Sequence, residues 1–561
     1  MAIIGIDLGT TNSACCVWQD DELIKVPNAL DSYLTPSVVG IDEDQNVIVG
    51  QIAKERLLTH SEKTVAVFKR LMGSEHVVKL GSKSFSAPEL SALVIKSLIK
   101  DAETLLEETV TEAVISVPAY FNENQRAATK LAGELAGIKV RRLINEPTAA
   151  AMAYGLNKRD EGTFLILDMG GGTFDVSILE YFSGVMEVHA CSGDNFLGGE
   201  DFVQVMIDDV LNQLNVTKSE LTKQEHHLIY LQMESLKKRI DQIEEETLQL
   251  QINNKYVDFK ASNQWFMSLI NPLLLRVKKP IQSALQDADM SPSEIDEVIL
   301  VGGATRLRQF RVAIAKLFGR LPSCDLDPDT VVGIGAGIQA GLLAENQALQ
   351  DVVLTDVCPY TLGTEVLDQN YNPGVFLPVI ERNTVVPVSI EKKVYTVNDN
   401  QKQILVKIFQ GENRLVEKNV CLGFLNVPVP KAKAGEHPIT VRYSYDMSGL
   451  LVVDITIEAT GAKFNKIIEN APGALSEKEK QKVLSKLDKI KFHPRDNQKN
   501  KQLIAKADRL YESYLGEARE LIAISVTNFE RVLEEQNEIA IKKAQVKFSN
   551  FLEALEIEGR F

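Results

Sequence analysis

The chain has 561 residues, too many for one hydrophobic core, so three or four domains are expected. Its 45% hydrophobic and 25% charged residues suit ordinary globular protein, and the formal net charge of -16 argues against nucleic acid or an anionic membrane as the main partner. No apolar run would span a bilayer, no basic leader precedes Ile3 and the cysteines form no C-x-x-C pair, so a cytoplasmic protein without zinc or disulfides is expected.

The first predicted element is a hairpin. Ile3, Ile4, Gly5 and Ile6 lead into Asp7, a turn of Gly9, Thr10, Thr11 and Asn12 follows, and Ala14, Cys15, Cys16 and Val17 return. Short strands continue over 34–49, and the segment from Val65 carries Phe68, Lys69 and Arg70. On its own a lone Lys there reads as a solvated surface residue. The spacing of Leu90, Leu93, Val94, Ser97, Leu98 and Leu105 predicts an amphipathic helix over 87–108, and 113–117 reads as a buried strand stopped by Pro118. A helix over 122–136 and a strand over 140–144 follow. Asn145, Glu146 and Pro147 then open a helix running to Tyr154, which sets Glu146 at a strand-to-helix corner.

A second hairpin runs from Leu165 to Leu179, with Asp168, the triplet Gly170, Gly171 and Gly172, Thr173, Phe174 and Asp175 at its turn. Three glycines let backbone N–H groups approach a ligand, and Asp168 and Thr173 add a carboxylate and a hydroxyl, a combination that suits a polyphosphate with magnesium. A tight hairpin without a ligand is the plain alternative. The echo of the first hairpin favours two similar lobes, each pushing one acid toward a shared metal and phosphates.

Gly193, Asp194, Leu197, Gly198, Gly199, Glu200 and Asp201 form another glycine-rich loop before a helix over 202–214, and a third such turn spans 299–306. Between them Glu234, Lys237, Lys238 and Asp241 share one helix face, which by spacing alone reads as an exposed salt-bridged surface. Gly333, Gly335, Gly337 and Gly341 only weakly match a dinucleotide fingerprint, and no P-loop, H-E-x-x-H or G-x-S-x-G is present. Past Ala344 the composition changes. Residues 349–356 read as a linker with no room for an element of its own, and the period then drops to two through Ile404, Val406, Ile408, Ile439, Val441, Tyr443, Leu451 and Val453, a small antiparallel β domain. Ser476 and Glu479 form a capping box, and helical spacing runs through Val483, Leu487, Leu503, Leu510, Phe529, Phe548 and Leu555.

The runs IGIDLGTTN at 4–12, VPAYFN at 117–122, NEPTAAAMAYG at 145–155, LDMGGGTFDV at 167–176, GGEDF at 198–202 and VGGATR at 301–306 together resemble the seventy-kilodalton heat-shock chaperones, the DnaK-like family, over nearly the whole chain. The resemblance implies a multidomain α/β protein: an actin-like (ribonuclease H-like) two-lobed ATPase over 1–348, a linker over 349–357, an antiparallel β-sandwich that holds extended peptide over 358–475, and a short α-helical lid over 476–561. It implies that Asp7 and Asp168 hold magnesium largely through water. Gly9, Thr10, Thr11 and Asn12, with Gly170, Gly171, Gly172 and Thr173, would cradle the β- and γ-phosphates of ATP or ADP, and Lys69 and Glu146 would place the attacking water.

By the same resemblance Gly198, Gly199, Gly302, Gly303 and Asp329 belong to the nucleotide site, Glu234 and Lys237 to the ribose, and Lys238 and Arg306 to the adenine. Pro118, Arg126 and Glu146 would couple phosphate to domain docking, and Arg142 and Asp356 would mark where a J-domain co-chaperone acts. Thr364, Val366, Leu367, Val394, Val397, Ile404 and Val406 would line the cleft for extended segments of unfolded clients, although alternate apolar residues in any sandwich are mostly core. The chain departs from the family pattern in a short 72–85 loop, a short 241–280 region, Asp241 in the nucleotide site in place of a serine near the ribose, Thr355 within the linker and a short lid. These departures liken it to a divergent HscC-like bacterial branch and bear on whether a nucleotide exchange factor is used. An exchange-factor-like relative with little hydrolysis and a small-molecule kinase are the competing expectations.

Overall fold

Each acid-and-glycine corner is built as a hairpin flanked by a parallel strand, and the rest of the front half packs around the two corners. In this computed structural model residues 2–19, 21–157, 161–182, 185–253, 255–344, 353–367, 373–445, 451–468, 498–514, 517–534 and 538–559 are described. The expected capping box at Ser476 and Glu479 and the first lid segment through Val483 and Leu487 lie outside them.

In the first lobe β1 (Ala2–Asp7) and β2 (Asn12–Gln19) form the hairpin, and β3 (Glu22–Lys25) extends it. The short helix α1 (Gln51–Thr59) and the long helix α2 (Ala87–Leu106) follow, and β4 (Val110–Val117) runs parallel to β1. Asn122 caps α3 (Glu123–Ala136), with its side chain accepting from the Gln125 amide. β5 (Lys139–Asn145) then completes the sheet in the order β5-β4-β1-β2-β3, and α4 (Glu146–Asn157) starts directly at Glu146.

The second lobe repeats the plan. β6 (Gly162–Met169) pairs antiparallel with β7 (Phe174–Phe182), β7 pairs with β8 (Val185–Asp194), and β9 (Glu297–Val301) lies parallel to β6. The helices α5 (Gly199–Gln213), α6 (Lys223–Arg239) and α7 (Asn263–Asp287) bury an apolar core that includes Phe202, Met233 and Phe266.

Between the lobes lies α8 (Val331–Leu343), and its glycines are there for contact. A Cβ on Gly335 would sit 1.8 Å from the Ala149 carbonyl oxygen in α4, and one on Gly5 in β1 would sit 2.1 Å from the Gly337 nitrogen. The weak dinucleotide-like spacing at Gly333–Gly341 is therefore a close-packed helix.

The expected linker corrects one reading, since it does hold elements. β10 (Val353–Leu354) adds a parallel edge to β8, and Thr355 N donates to the Met186 carbonyl at 3.0 Å. β11 (Asp356–Val357) pairs with a strand at Val385–Val386. Linker backbone groups find sheet partners here, which a composition-based reading of so short a run does not register.

Two antiparallel four-stranded sheets then face each other. One holds Val375–Ile380, Leu362–Val366, Gln403–Gln410 and Val420–Pro428; the other holds Val388–Tyr395, Pro438–Tyr445, Leu451–Ile457 and Ala462–Ile468. Their shared core includes Ile408, Val427, Val441, Tyr443 and Ile455. The last helices, Gln498–Ser513, Glu517–Glu534 and Glu538–Gly559, bury Leu510, Phe529, Phe548 and Leu552 among themselves, and the first of them lies on α1, where Arg509 pairs with Glu55 at 3.2 Å. Among the described residues no helix is long and apolar enough to cross a membrane.

Candidate functional site

The two hairpin turns open into one cleft of about 1080 Å³ between the lobes. Asp7 and Asp168 both line it, together with Gly9, Thr10, Thr11, Asn12, Lys69, Glu146, Gly170, Gly171, Thr173, Gly199, Glu234, Lys237, Lys238, Gly302, Gly303, Arg306 and Asp329. Sequence positions more than 300 residues apart thus meet around one space. Gly172 and Gly198 stand just behind this lining: a Cβ on Gly198 would meet the Gly171 carbonyl oxygen at 2.6 Å, and one on Gly172 would meet the Thr10 hydroxyl at 3.1 Å.

Asp7 ends β1, and its Oδ1 accepts from the Ser116 hydroxyl of β4 at 2.7 Å. Asp168 lies opposite Asp175 in the β6–β7 register, which puts both carboxylates on one face of the sheet. Lys69 sits in a tight turn, Phe68–Leu71, entered through Val67 at φ 60°, and its Nζ donates to Glu146 Oε1 at 2.7 Å with both side chains buried. Burial first, and the Glu146 carboxylate second, push the Asp7 and Asp175 carboxyls up to about 7, and the same two causes raise Asp168 well above the ordinary range.

Three buried carboxyls and the partly buried Asp7, crowded around one ammonium, are costly without a further positive charge, so the donor set fits a bound dication. Asp7 and Asp168 supply hard oxygen, the chemistry magnesium takes, and the glycine turns leave backbone exposed for phosphate. The first turn of α5 is tied to the glycine triplet: Gly199 N and Glu200 N donate to the carbonyls of Gly170 and Gly171, at 2.9 and 2.8 Å.

On the far side of the cleft, Glu234 pairs with Lys237 at 2.5 Å and with Lys238 at 3.1 Å, so the salt-bridged face read from spacing exists and also faces the cleft. Arg306 donates to Asp329 and Asp327, and Lys237 donates to the Gly199 carbonyl at 3.0 Å. The side chain of Asp241, the fourth member of that face, is outside the described residues. His226, His227 and Tyr230 continue the cleft wall, with Tyr230 donating to Glu200; nothing in the sequence pattern pointed to them. Asp175 and Ser116 were missed as well. Counting four residues across the second turn pairs Asp168 with Asp175 from sequence alone, but the Ser116 contact depends on the parallel pairing of distant strands.

Arg126 and Asp356, two of the residues expected to couple the domains, are brought together through Asn145. Arg126 of α3 donates to the carbonyls of Phe121 and Ala119 and to Asn145 Oδ1, and Asn145 Nδ2 reaches both oxygens of Asp356 in β11 at 2.9 Å. Pro118 is buried at the end of β4, and Arg142 donates to Gln339 of α8. The β-sandwich is docked on this region. Tyr445 donates to Glu123 at 2.6 Å, Glu123 N donates to Gln410, Tyr120 and Tyr360 pack ring on ring at 4.4 Å, and Arg382 forks onto Asp287 of α7.

The expected peptide-lining residues divide. Val406 is a core residue at 4% exposure and Thr364 is buried with its hydroxyl on the Lys407 carbonyl, so neither presents an apolar surface to a ligand in this docked arrangement. Strand alternation turns these two inward here. Val394 and Ile404 are half-buried against the same core, Val366 and Leu367 are half-buried at a strand end, and Val397 is exposed.

The family model described as Hsp70 protein matches residues 3–558. The chain belongs to the Hsp70 family. Two relatives, each named Chaperone protein DnaK, are 38% identical to this Hsp70: one from Thermosipho melanesiensis over 523 residues (91% of this chain, 87% of the relative), one from Thermosipho africanus over 524 residues (91% and 86%). As an Hsp70 the chain is an ATPase and an ATP-dependent chaperone, and the exchange-factor reading finds no support. Hsp70 proteins bind ATP or ADP, generally with magnesium, through an actin-like domain joined to a β-sandwich and helical lid, and the mixed sheets, paired antiparallel sheets and terminal helices of this Hsp70 accord with that plan.

Proposed function

We propose that this Hsp70 binds extended apolar segments of unfolded proteins in its β-sandwich and sets their release by hydrolysing ATP in the cleft between its lobes. The observation that supports this most is the convergence of Asp7 and Asp168, one from each lobe, on a single cleft containing the buried Lys69–Glu146 pair. Magnesium, held by Asp7 and Asp168 largely through water, would offset charge on the phosphates. Thr10, Thr11, Asn12, the glycine triplet and Thr173 bind the phosphate oxygens; Glu234 and Lys237 hold the ribose; Lys238, Arg306, Gly302, Gly303 and Asp329 frame the adenine. Glu146 orients the attacking water and Lys69 offsets charge on the transferring group, so positioning and electrostatics do most of the work.

Coupling follows from shared residues. Asn145 is the chain neighbour of Glu146, accepts from Arg126 and donates to Asp356, so a shift of Glu146 with the terminal phosphate disturbs both the linker and the α3 surface on which the sandwich sits. Docking favours fast peptide exchange, and separation slows it. A J-domain protein acting near Arg142 and Asp356 would promote hydrolysis. The division at 348, 357 and 475, a cytoplasmic setting and placement in an HscC-like branch belong to the same proposal and rest on the residues quoted above.

The test is single-turnover ATP hydrolysis with and without an extended apolar peptide and a matched J-domain protein. Stimulation supports the proposal. Hydrolysis that ignores both additions contradicts it.

A further inference from the structure

One contact crosses the cleft from lobe to lobe right beside the reacting region, and no role assigned above uses it. Arg70, the chain neighbour of Lys69, reaches out of the turn Phe68–Leu71 in the first lobe to two groups of the second. Its Nη2 donates to the Gly172 carbonyl at 3.0 Å and to Asp201 Oδ2 at 2.5 Å, and its Nη1 donates to Asp201 Oδ1 at 3.3 Å.

Both acceptors belong to one stitched unit. Asp201 also accepts from the Gly198 amide at 2.7 Å, and the following amides, Gly199 and Glu200, donate to the carbonyls of Gly170 and Gly171. The glycine triplet and the first turn of α5 therefore move together. Gly172 also leaves room for the approach: a Cβ there would lie 2.8 Å from Arg70 Nε and 3.2 Å from its Cγ, so any side chain would push the guanidinium away.

We propose that Arg70 is a positioning residue for ATP hydrolysis: it pins the triplet and α5 at a fixed separation from the turn that bears Lys69. Lys69 is held to its own lobe through Glu146 Oε1, and the triplet is held to α5, so neither contact fixes one lobe against the other. The Arg70 fork does, and it is the tie that starts from the Lys69 turn. The Tyr120 amide on Asp175 Oδ1 at 3.0 Å and Asn195 Nδ2 on the Tyr120 carbonyl at 2.8 Å join the lobes through the segment between β4 and α3 instead. Each lobe can still bind its share of the nucleotide without the fork, but the ammonium and the phosphate cradle then lose register, and a misplacement of about 1 Å costs on the order of a hundredfold in rate. A lysine cannot replace the fork, because one ammonium does not span a carbonyl and both oxygens of a carboxylate.

This inference rests on the assignment of Lys69 and the glycine triplet to hydrolysis. The experiment compares the full chain with Arg70→Ala, Arg70→Lys, Asp201→Asn and Arg70→Ala/Asp201→Asn, measuring the single-turnover rate and the ATP dissociation constant separately. The expected result is a rate about thirtyfold to a hundredfold lower in both Arg70 variants, with ATP affinity within about threefold of the parent. The double variant should be little worse than Arg70→Ala, as expected for two groups in one contact. Guanidinium ion added to Arg70→Ala should restore part of the rate, a result that a merely structural loss would not give. Arg70→Lys keeps the charge and the stem and reads the fork even if the alanine variant does not fold. Parental rates in Arg70→Lys, or rate and affinity falling together in every variant, overturn the inference. A parent chain that does not hydrolyse ATP overturns the proposed function itself, whereas an active parent matched by its Arg70 variants overturns only the pin.

Discussion

The nucleotide cleft and the β-sandwich are built on opposite principles. The cleft buries charge: Lys69, Glu146, Asp168 and Asp175 are buried, Asp7 is partly so, and the four carboxyls repel one another. The sandwich buries hydrocarbon: Ile408, Val427, Val441 and Ile455 fill the space between its sheets. The first region holds free energy against folding and releases it on binding, while the second supplies folding free energy directly. Substitutions in the cleft should therefore change activity at little cost in stability, and substitutions in the sandwich core should do the reverse.

The largest effect expected from this contrast is Lys69→Ala. Single-turnover hydrolysis should fall about 10² to 10⁴-fold with ATP affinity near the parent value, because in the proposed role the ammonium would act on charge that develops in the transition state. A comparable loss of affinity would erase the distinction.

Asp175→Asn sharpens the contrast in the other direction. The Asp175 carboxyl is pushed up to about 7 in the fold, chiefly by burial, so its contribution to folding is fully present below the unfolded value near 4 and is lost as pH rises through about 7. In the nucleotide-free protein the asparagine variant should melt higher at about pH 8, by on the order of 3 kcal/mol, and show little gain at about pH 4. An unchanged difference across that range, followed by calorimetry, would count against charge burial as the cause.

Val406→Ala probes the sandwich. Two methyl groups leave a core site at 4% exposure, so stability of that domain should drop by about 2 kcal/mol, read as a lower denaturation midpoint, while hydrolysis of ATP without peptide stays unchanged.

Tyr445→Phe acts on the seam between the regions. It removes the donor to buried Glu123 and should weaken docking by about 1.5 kcal/mol, measurable as greater cleavage of the linker by protease in the presence of ATP. Smallest of all, Arg509→Ala removes a partly exposed ion pair between the terminal helices and α1, for which about 0.5 kcal/mol of docking is expected.

The same contrast explains what could be read from sequence. In the cleft the informative residues are chemically odd for their surroundings: acids that end apolar strands and glycines at the turns announce Asp7, Asp168 and the triplet. In the sandwich the residues of core and ligand surface are the same apolar types, so Val406 and Val394 could not be told apart before the strands were placed. Asp175 carried a usable signal in the turn length, which pairs it with Asp168. Ser116, Arg70 and Tyr445 carried none, because their roles come from partners 109, 102 and 322 residues away. The linker strands at Val353–Leu354 and Asp356–Val357 escaped for the same reason: their pairing partners, not their own composition, make them strands.

The claim that the terminal phosphate governs how the sandwich is held is tested most directly by energy transfer between one label on α7 of the second lobe and one on the strand Leu451–Ile457 of the sandwich. With ATP the distance should stay short, it should lengthen as ATP becomes ADP, and Lys69→Ala should keep it short after ATP is added. A distance that is the same with either nucleotide, or that lengthens in Lys69→Ala as fast as in the parent, contradicts the account.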